Sequence, residues 1–95
     1  MAVSARARPT LPSMTKHPES MLAALAWACR KERRVHRTPR WRVARRAGVD
    51  EATVVRFEQA RAWPRDLDHL VDAYAKCTGA DPRELWEAAF HAWRP

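Results

Sequence analysis

The sequence has few of the residues that mark several common functional classes. Two of its 95 residues are glycine and two are cysteine, and the two cysteines, Cys29 and Cys77, lie far apart. With no CxxC pair and no paired histidine–cysteine spacing, the chain shows no zinc pattern, and both thiols are expected to be free and buried. The apolar runs are too short for a membrane-spanning helix, and no secretory hydrophobic region is present. We therefore expect a cytoplasmic protein without metal, cofactor, small-molecule ligand or membrane partner.

Catalytic patterns are also missing. The sequence contains no nucleophile–base pair, no metal-ligand spacing and no glycine-rich phosphate loop. From a chain of 95 residues we expect one domain, without a separate catalytic or sensing domain. These features favour a binding protein over an enzyme.

Acidic residues are scarce in the first two thirds of the chain. Up to Arg65 there are 15 basic and 5 acidic residues, whereas from Asp66 onward there are 3 basic and 6 acidic residues. The first part therefore has a net charge of +10 and the second a net charge of −3. Such asymmetry favours a polyanionic partner on one face, the alternative being a soluble basic protein without one.

Strand patterns are absent, because no segment alternates apolar and polar residues with period two. Residues 1–17 contain Arg6, Arg8 and Lys16 but no periodic apolar pattern, so we expect a disordered basic arm, followed by one all-α domain at 18–95. Apolar spacing predicts five helices. The first helix is expected to run from Pro18 or Glu19 to about Arg34, and the second from Pro39 to Ala47. The third is expected to end at about Gln59 or Ala60. The fourth should run from about Arg65 to Lys76, and the fifth should begin at Pro82.

Helix boundary signals support these ranges. Thr38 is the expected N-cap of the second helix and Asp50 that of the third. Gly48 is expected to end the second helix in a left-handed conformation and Gly79 to end the fourth. Asp81, Pro82 and Glu84 form the pattern of a capping box at the start of the fifth helix.

The second and third predicted helices carry the most informative motif. It comprises Val43-Ala44, Ala47-Gly48-Val49, Thr53-Val54, Phe57 and Glu58, with Asp50 at the capping position. In this motif the chain resembles the Cro/lambda-repressor type helix-turn-helix family, also called the Xre family, over roughly Met21 to Trp93. The resemblance implies a compact five-helix lambda-repressor-like domain. It also implies a phage or bacterial transcriptional regulator, such as a repressor, that binds double-stranded DNA with residues of about 51–59 in the major groove.

Residue roles follow from the same resemblance. The base-contacting residues would be Glu51, Ala52, Val55 and Arg56, and the planar fork of Arg56 matches the O6 and N7 atoms of guanine. Contacts to phosphate would come from exposed basic and polar side chains, each of which has a merely solvated role as its alternative. These candidates are Arg37, Arg40, Arg42, Thr53, Arg61 and Arg65.

The chain departs from the family pattern at two places, and one family contact has two candidate residues. The turn from Val35 to Arg40 is longer than usual and lacks the glutamine that opens the second helix, a role for which Arg40 is the candidate. The glycine usual after the third helix is replaced near Ala60. Both Arg30 and Arg33 are candidates for the family's ion pair with Glu58.

Aromatic residues define a second candidate surface on the fifth helix. Trp86, Phe90 and Trp93 exceed what one short helix needs for core packing, and we expect them to form a homodimer face. Two alternatives remain open: the face completes the core, or it holds another protein, as in an antitoxin or anti-repressor. Trp63 is expected to anchor its loop under the core, whereas Trp41 occupies a position that should be exposed.

Overall fold

Five helices make up the part of the chain that the computed structural model describes, residues 20–93, and no strand occurs among them. The predicted arm at 1–17, together with Pro18 and Glu19, lies outside the described residues. The all-helical class expected from the sequence is therefore confirmed for the described range. The helices are α1 Met21–Val35, α2 Arg40–Ala47, α3 Glu51–Glu58, α4 Leu67–Thr78 and α5 Pro82–Ala92.

Side-chain caps fix the starts of four of the five described helices. Ser20 caps α1 by accepting a hydrogen bond from the Ala23 amide at 3.0 Å, so this helix begins later than the predicted Pro18 or Glu19. Asp50 caps α3, as predicted. The predicted capping box at Asp81 is also present, with both of its reciprocal hydrogen bonds formed. Each cap satisfies an amide at a helix end, where no carbonyl of the helix is available.

The predicted boundaries of α2 and α4 also differ from those observed. Pro39, not Thr38, occupies the N-cap position of α2 and makes no side-chain cap bond. Thr38 is instead buried in the turn that ends α1, where its amide donates to the Arg33 carbonyl at 2.9 Å. The fourth helix runs from Leu67 to Thr78 rather than from Arg65 to Lys76, because Asp66 caps it.

Four residues with positive φ make the turns. Gly48 (φ 74°) and Gly79 (φ 81°) end α2 and α4 in the left-handed conformation that the sequence predicted. Arg37 (φ 55°) and Ala60 (φ 56°) adopt the same conformation after α1 and α3, although a Cβ atom makes it unfavourable. Ala60 thus occupies the turn after α3, near which a glycine was expected from the resemblance.

All five helices contribute to one core. Its largest fully buried side chains include Tyr74 and Phe57, whose ring centroids lie 5.9 Å apart in a tilted arrangement. Such aromatic pairs add about 0.5–1.5 kcal/mol beyond the burial of their area. The other largest fully buried side chains are those of Leu25, Cys29, Val43, Val54 and Val71.

Several apolar residues expected inside the protein lie at its surface. The prediction for Trp63 was wrong, since this residue is 54% exposed. Val49, in the connection between the second and third helices, is 38% exposed. Cys77 is only half-buried, whereas Cys29 is fully buried, and both thiols are free as predicted. None of the described helices has the length and apolar character needed to cross a membrane.

Candidate nucleic-acid interface

A three-residue connection, Gly48 to Asp50, joins α2 to α3. The Val49 amide donates to the Ala44 carbonyl at 3.0 Å, which folds the connection back onto the end of α2. The small side chains of Ala44 and Ala47 are buried on the inner face of α2 and permit close packing. Since Val54 and Phe57 are also buried, α3 is attached to the protein along one face only.

The opposite face of α3 is open to solvent. Glu51, Ala52 and Arg56 are exposed, and Val55 is half-buried. One turn of an α-helix is about 3.6 residues, so Ala52, Val55 and Arg56 share this face. The structure therefore brings the four predicted base-contacting residues to one accessible surface.

Thr53 is engaged by the N-cap. Its hydroxyl donates to the Asp50 carboxylate at 2.6 Å, and its amide donates to the same oxygen at 2.9 Å. These hydrogen bonds, with the side-chain bond the larger cause, hold the pKa of Asp50 below its usual range. Arg56 Nη2 lies 3.4 Å from the Thr53 oxygen. The hydroxyl proton of Thr53 is thus already committed to Asp50, so a phosphate contact would require it to change partner.

A concavity of about 610 Å³ lies beside α3, between that helix and the start of α4. Arg56 and Arg65 both line it, together with Thr53, the exposed Trp63 and His69. Two of the predicted DNA-contacting arginines are therefore brought together here, at the edge of the exposed face of α3.

Glu58, at the end of α3, is the most heavily hydrogen-bonded side chain in the described range. Arg33 binds its carboxylate with two nitrogens, Nε to Oε2 at 2.6 Å and Nη2 to Oε1 at 2.9 Å. The Tyr74 hydroxyl donates to Oε2 at 2.6 Å, and Arg40 Nε donates to Oε1 at 3.1 Å. Of the two candidates for this ion pair, Arg33 is the partner, whereas Arg30 is exposed.

Burial alone would raise the pKa of Glu58. The hydrogen bonds from Arg33 and Tyr74 and the positive charge of Arg33 outweigh burial, so the pKa of Glu58 is lowered. Burial and the hydrogen bond to Glu58 raise the pKa of Tyr74, which stays protonated and keeps donating. The carboxylate is thus ionised and ties together α1, α2, α3 and α4.

Arg40 is the first residue of α2 and reaches this buried carboxylate from the surface. Its side chain is 41% exposed, whereas that of Glu58 is 1% exposed. The Nε atom of Arg40 is bound to Glu58. The terminal nitrogens of Arg40 have no hydrogen-bond partner among residues 20–93. Sequence reasoning missed the Arg40 and Tyr74 contacts with Glu58. For Tyr74 the sequence did carry a signal. Its phenol group belongs to a stripe of core residues, and a buried hydroxyl usually has a hydrogen-bond partner.

The predicted phosphate-contacting arginines do not form one cluster. Arg37 and Arg61 are exposed in the loops after α1 and α3. Arg42 lines a different concavity, with Arg45 and Arg46 of α2 and with Lys76 and Cys77 near the end of α4. Arg40 and Arg42 therefore face different parts of the surface, although only one residue separates them.

The predicted partner face on α5 is partly covered. Phe90 is 58% exposed, whereas Trp86 and Trp93 are half-buried and pack against the core. Leu85 and Ala89 on the same helix are buried. The exposed apolar surface of α5 therefore centres on Phe90.

The described part of the chain was also searched for groups of metal-binding side chains. Among residues 20–93 no group of three or more histidine, cysteine, aspartate or glutamate side chains is arranged to hold a metal ion.

Comparison with known protein families, with curated proteins and with solved structures finds no match to this chain.

Proposed function

We propose that this protein is a sequence-specific, double-stranded DNA-binding regulator of transcription with the five-helix fold of the Cro/lambda-repressor type. In this proposal it is a binding protein and not an enzyme. The observation that carries the proposal is the state of α3, whose inner face is held by Val54 and Phe57 while Glu51, Ala52 and Arg56 lie exposed.

The dimensions of α3 suit this role. An α-helix with its side chains is about 10–12 Å across, and the major groove of B-DNA is about 12 Å wide. With α3 in the groove, Arg56 would donate to guanine, and Ala52 and Val55 would contact thymine methyl groups. Glu51 would accept from the amino group of cytosine, or its charge would only stabilise the helix N-terminus.

Arginines near α3 supply the positive charge for phosphate contacts. Arg40 opens α2 and Arg65 lies across the concavity beside α3, so they would contact the two strands that border the groove. Arg37 and Arg61 are exposed and would add further contacts, whereas Arg42 lines the separate concavity between α2 and α4. Phosphate contacts of this kind supply much of the affinity and make it depend on salt.

Selection of bound sequences from a pool of random duplexes tests the proposal directly. We expect the wild-type chain to enrich one motif and Arg56→Ala to lose preference at one position, with a change of about 1–3 kcal/mol in discrimination. Arg83→Ala is the matched control, because Arg83 is exposed on α5 and the substitution removes the same charge. If no motif is enriched, or if Arg56→Ala enriches the same motif with the same preferences, α3 does not read bases.

The exposure of Phe90 supports a second role for α5. A large aromatic side chain at 58% exposure is the kind of anchor that buries itself in a partner. We propose that it forms a homodimer contact, so that two copies of α3 read two half-sites. The alternative is a protein-interaction module, such as an antitoxin or anti-repressor, in which the same face holds a different protein.

A further inference from the structure

A second basic surface lies between α2 and the C-terminal part of α4. Its open concavity of about 700 Å³ is lined by four cationic side chains and one thiol. We name it the α2/α4 basic surface, and its lining residues are Arg42, Arg45, Arg46, Lys76 and Cys77.

Most of the positive charge on this surface is not compensated by carboxylates. Within residues 20–93 the three arginines make no ion pair with any carboxylate. Lys76 is paired only with Asp72, at 3.3 Å across one turn of α4. The surface therefore carries a surplus of three positive charges, held on two helices that pack together.

Helix stability does not account for this clustering. Cations in the last turn of a helix interact favourably with its dipole, which would explain Arg45 and Arg46. Arg42 lies in the first turn of α2, where a cation is unfavourable. The dipole of α2 therefore does not explain the position of Arg42 beside Lys76 of α4.

The α2/α4 basic surface is separate from the exposed face of α3. The two concavities share no lining residue. His69 of α4 lines the one beside α3, and Lys76 of α4 lines the other. Seven residues of α-helix span about 10 Å, so the two linings lie at different positions along α4.

The chemistry of the lining favours phosphate over a protein partner. Protein interfaces have an apolar centre, whereas among residues 20–93 Cys77 is the only uncharged residue that lines this concavity. The planar guanidinium group binds phosphate oxygens with two parallel hydrogen bonds. Arg42 and Arg46 are one helical turn apart, about 6 Å along α2, which leaves room for each guanidinium group to bind a different phosphate.

We propose that the α2/α4 basic surface binds the phosphate backbone of a second DNA duplex, without sequence preference, while α3 engages the first. The inference rests on the proposed function, because it assumes that DNA is the ligand of this protein. A chain with two separate DNA-binding surfaces can bring two DNA segments together.

Cys77 provides a local probe of this surface in the full chain. It is half-buried and lines the concavity, whereas Cys29, the other cysteine of the chain, is fully buried. Alkylation of the native protein by iodoacetamide therefore reports on Cys77. The probe ligand is a random-sequence duplex of about two helical turns, supplied in excess over the protein.

We expect the duplex to slow alkylation of Cys77 about fivefold or more, because excess duplex keeps the surface occupied most of the time. The protection should disappear in Arg45→Gln/Arg46→Gln. It should persist in Arg30→Gln/Arg34→Gln, a control that removes two exposed arginines from α1 and changes the charge equally. Protection of Cys77 should also persist in Arg56→Ala, because Arg56 lies on α3 and not on the α2/α4 basic surface. Circular dichroism establishes that each variant is folded.

Three results would overturn the inference. If the duplex binds, as measured by fluorescence anisotropy, but Cys77 reacts at the free rate, DNA occupies α3 alone and only the further inference fails. If no duplex binds at all, the proposed function fails with it. If poly-glutamate protects Cys77 as well as the duplex does at equal charge concentration, the surface is a site for acidic protein.

Discussion

Arg33 and Glu58 form a bidentate ion pair across 25 residues of sequence, with both side chains largely buried. The two nitrogen–oxygen distances are 2.6 and 2.9 Å, and the side chains are 11% and 1% exposed. The pair joins the C-terminal turn of α1 to the last residue of α3, the helix whose exposed face is the candidate DNA-reading surface. The position of that surface relative to the rest of the protein therefore depends on a buried charge.

Glu58→Gln should strongly destabilise the protein. The substitution keeps the shape of the side chain but leaves the buried Arg33 without its counter-charge, which typically costs about 3–5 kcal/mol. That is a large share of the roughly 5–15 kcal/mol by which a domain is stable, so the variant should be close to unfolding. Urea denaturation followed by circular dichroism measures the change, with the exposed Glu87→Gln as control. A loss no larger than that of the control would show that the pair is dispensable.

The same carboxylate should make stability depend on pH. Folding lowers the pKa of Glu58, because hydrogen bonds from Arg33 and Tyr74 outweigh the opposing effect of burial. A group whose pKa is lowered by folding stabilises the native state above its unfolded pKa, and this stabilisation is lost as the pH falls through its folded pKa. We therefore expect the free energy of unfolding to decrease as the pH drops below about 4.5, the usual value for this group.

Urea midpoints of the wild type and Glu58→Gln test this expectation between about pH 7 and pH 3. The difference between the two proteins should be largest at neutral pH and should shrink in acid. Asp50 also has a lowered pKa but is present in both proteins, so its contribution cancels in the difference. A constant difference over the whole range would mean that Glu58 does not titrate in the folded state as inferred.

Local features of the fold were predictable because they depend on neighbouring residues. Gly48 and Gly79 each follow an apolar helical pattern, and Asp50 and Asp81 each precede one, so short-range chemistry determines these turns and caps. The exposure of Ala52 and Arg56 agrees with the roles that the family resemblance implied for them. The shift of the α2 cap from Thr38 to Pro39 was not predictable, because it depends on hydrogen bonds to Arg33.

Long-range features were not predictable from spacing. No pattern shows that Tyr74 and Arg40 meet at Glu58, since those contacts join residues 16 and 18 positions apart through the packing of α2, α3 and α4. The exposure of Trp63 follows from the path of the loop between α3 and α4. The separation of Arg40 from Arg42 was available in the sequence, because two residues on a helix differ by about 200° around its axis.

Ala60→Gly should stabilise the protein. Ala60 has φ 56°, and a Cβ atom in this conformation costs roughly 1–2 kcal/mol. Glycine removes that cost but adds about 0.5–1 kcal/mol of chain entropy, so we expect a net gain of about 0.5–1 kcal/mol in the free energy of unfolding. The reverse change at Gly48, to alanine, should be destabilising, since its φ is 74°. A melting temperature that falls in Ala60→Gly would contradict this account of the turn.

Arg40→Ala should weaken DNA binding without changing sequence preference. Glu58 fixes the Nε atom of Arg40 while the side chain remains 41% exposed, which leaves its terminal nitrogens available to phosphate. Loss of one phosphate contact should lower the slope of log K against log salt concentration by about 0.9. Titrations of one duplex at several salt concentrations measure the slope, with Arg83→Ala as control. An unchanged slope, or a preference altered at one base position, would remove Arg40 from the phosphate-contacting set.

Phe90→Glu should produce a monomer if α5 forms the dimer. The side chain is 58% exposed, so a charge at this position should leave the fold intact while disfavouring burial against a second copy. Sedimentation equilibrium should give twice the 11.0 kDa chain mass for the wild type and the single-chain mass for Phe90→Glu. Glu87→Lys, one turn earlier on an exposed part of α5, is the control for a charge change on the same helix. A wild-type protein that is monomeric at concentrations where it binds DNA would exclude the dimer and leave Phe90 to contact another protein.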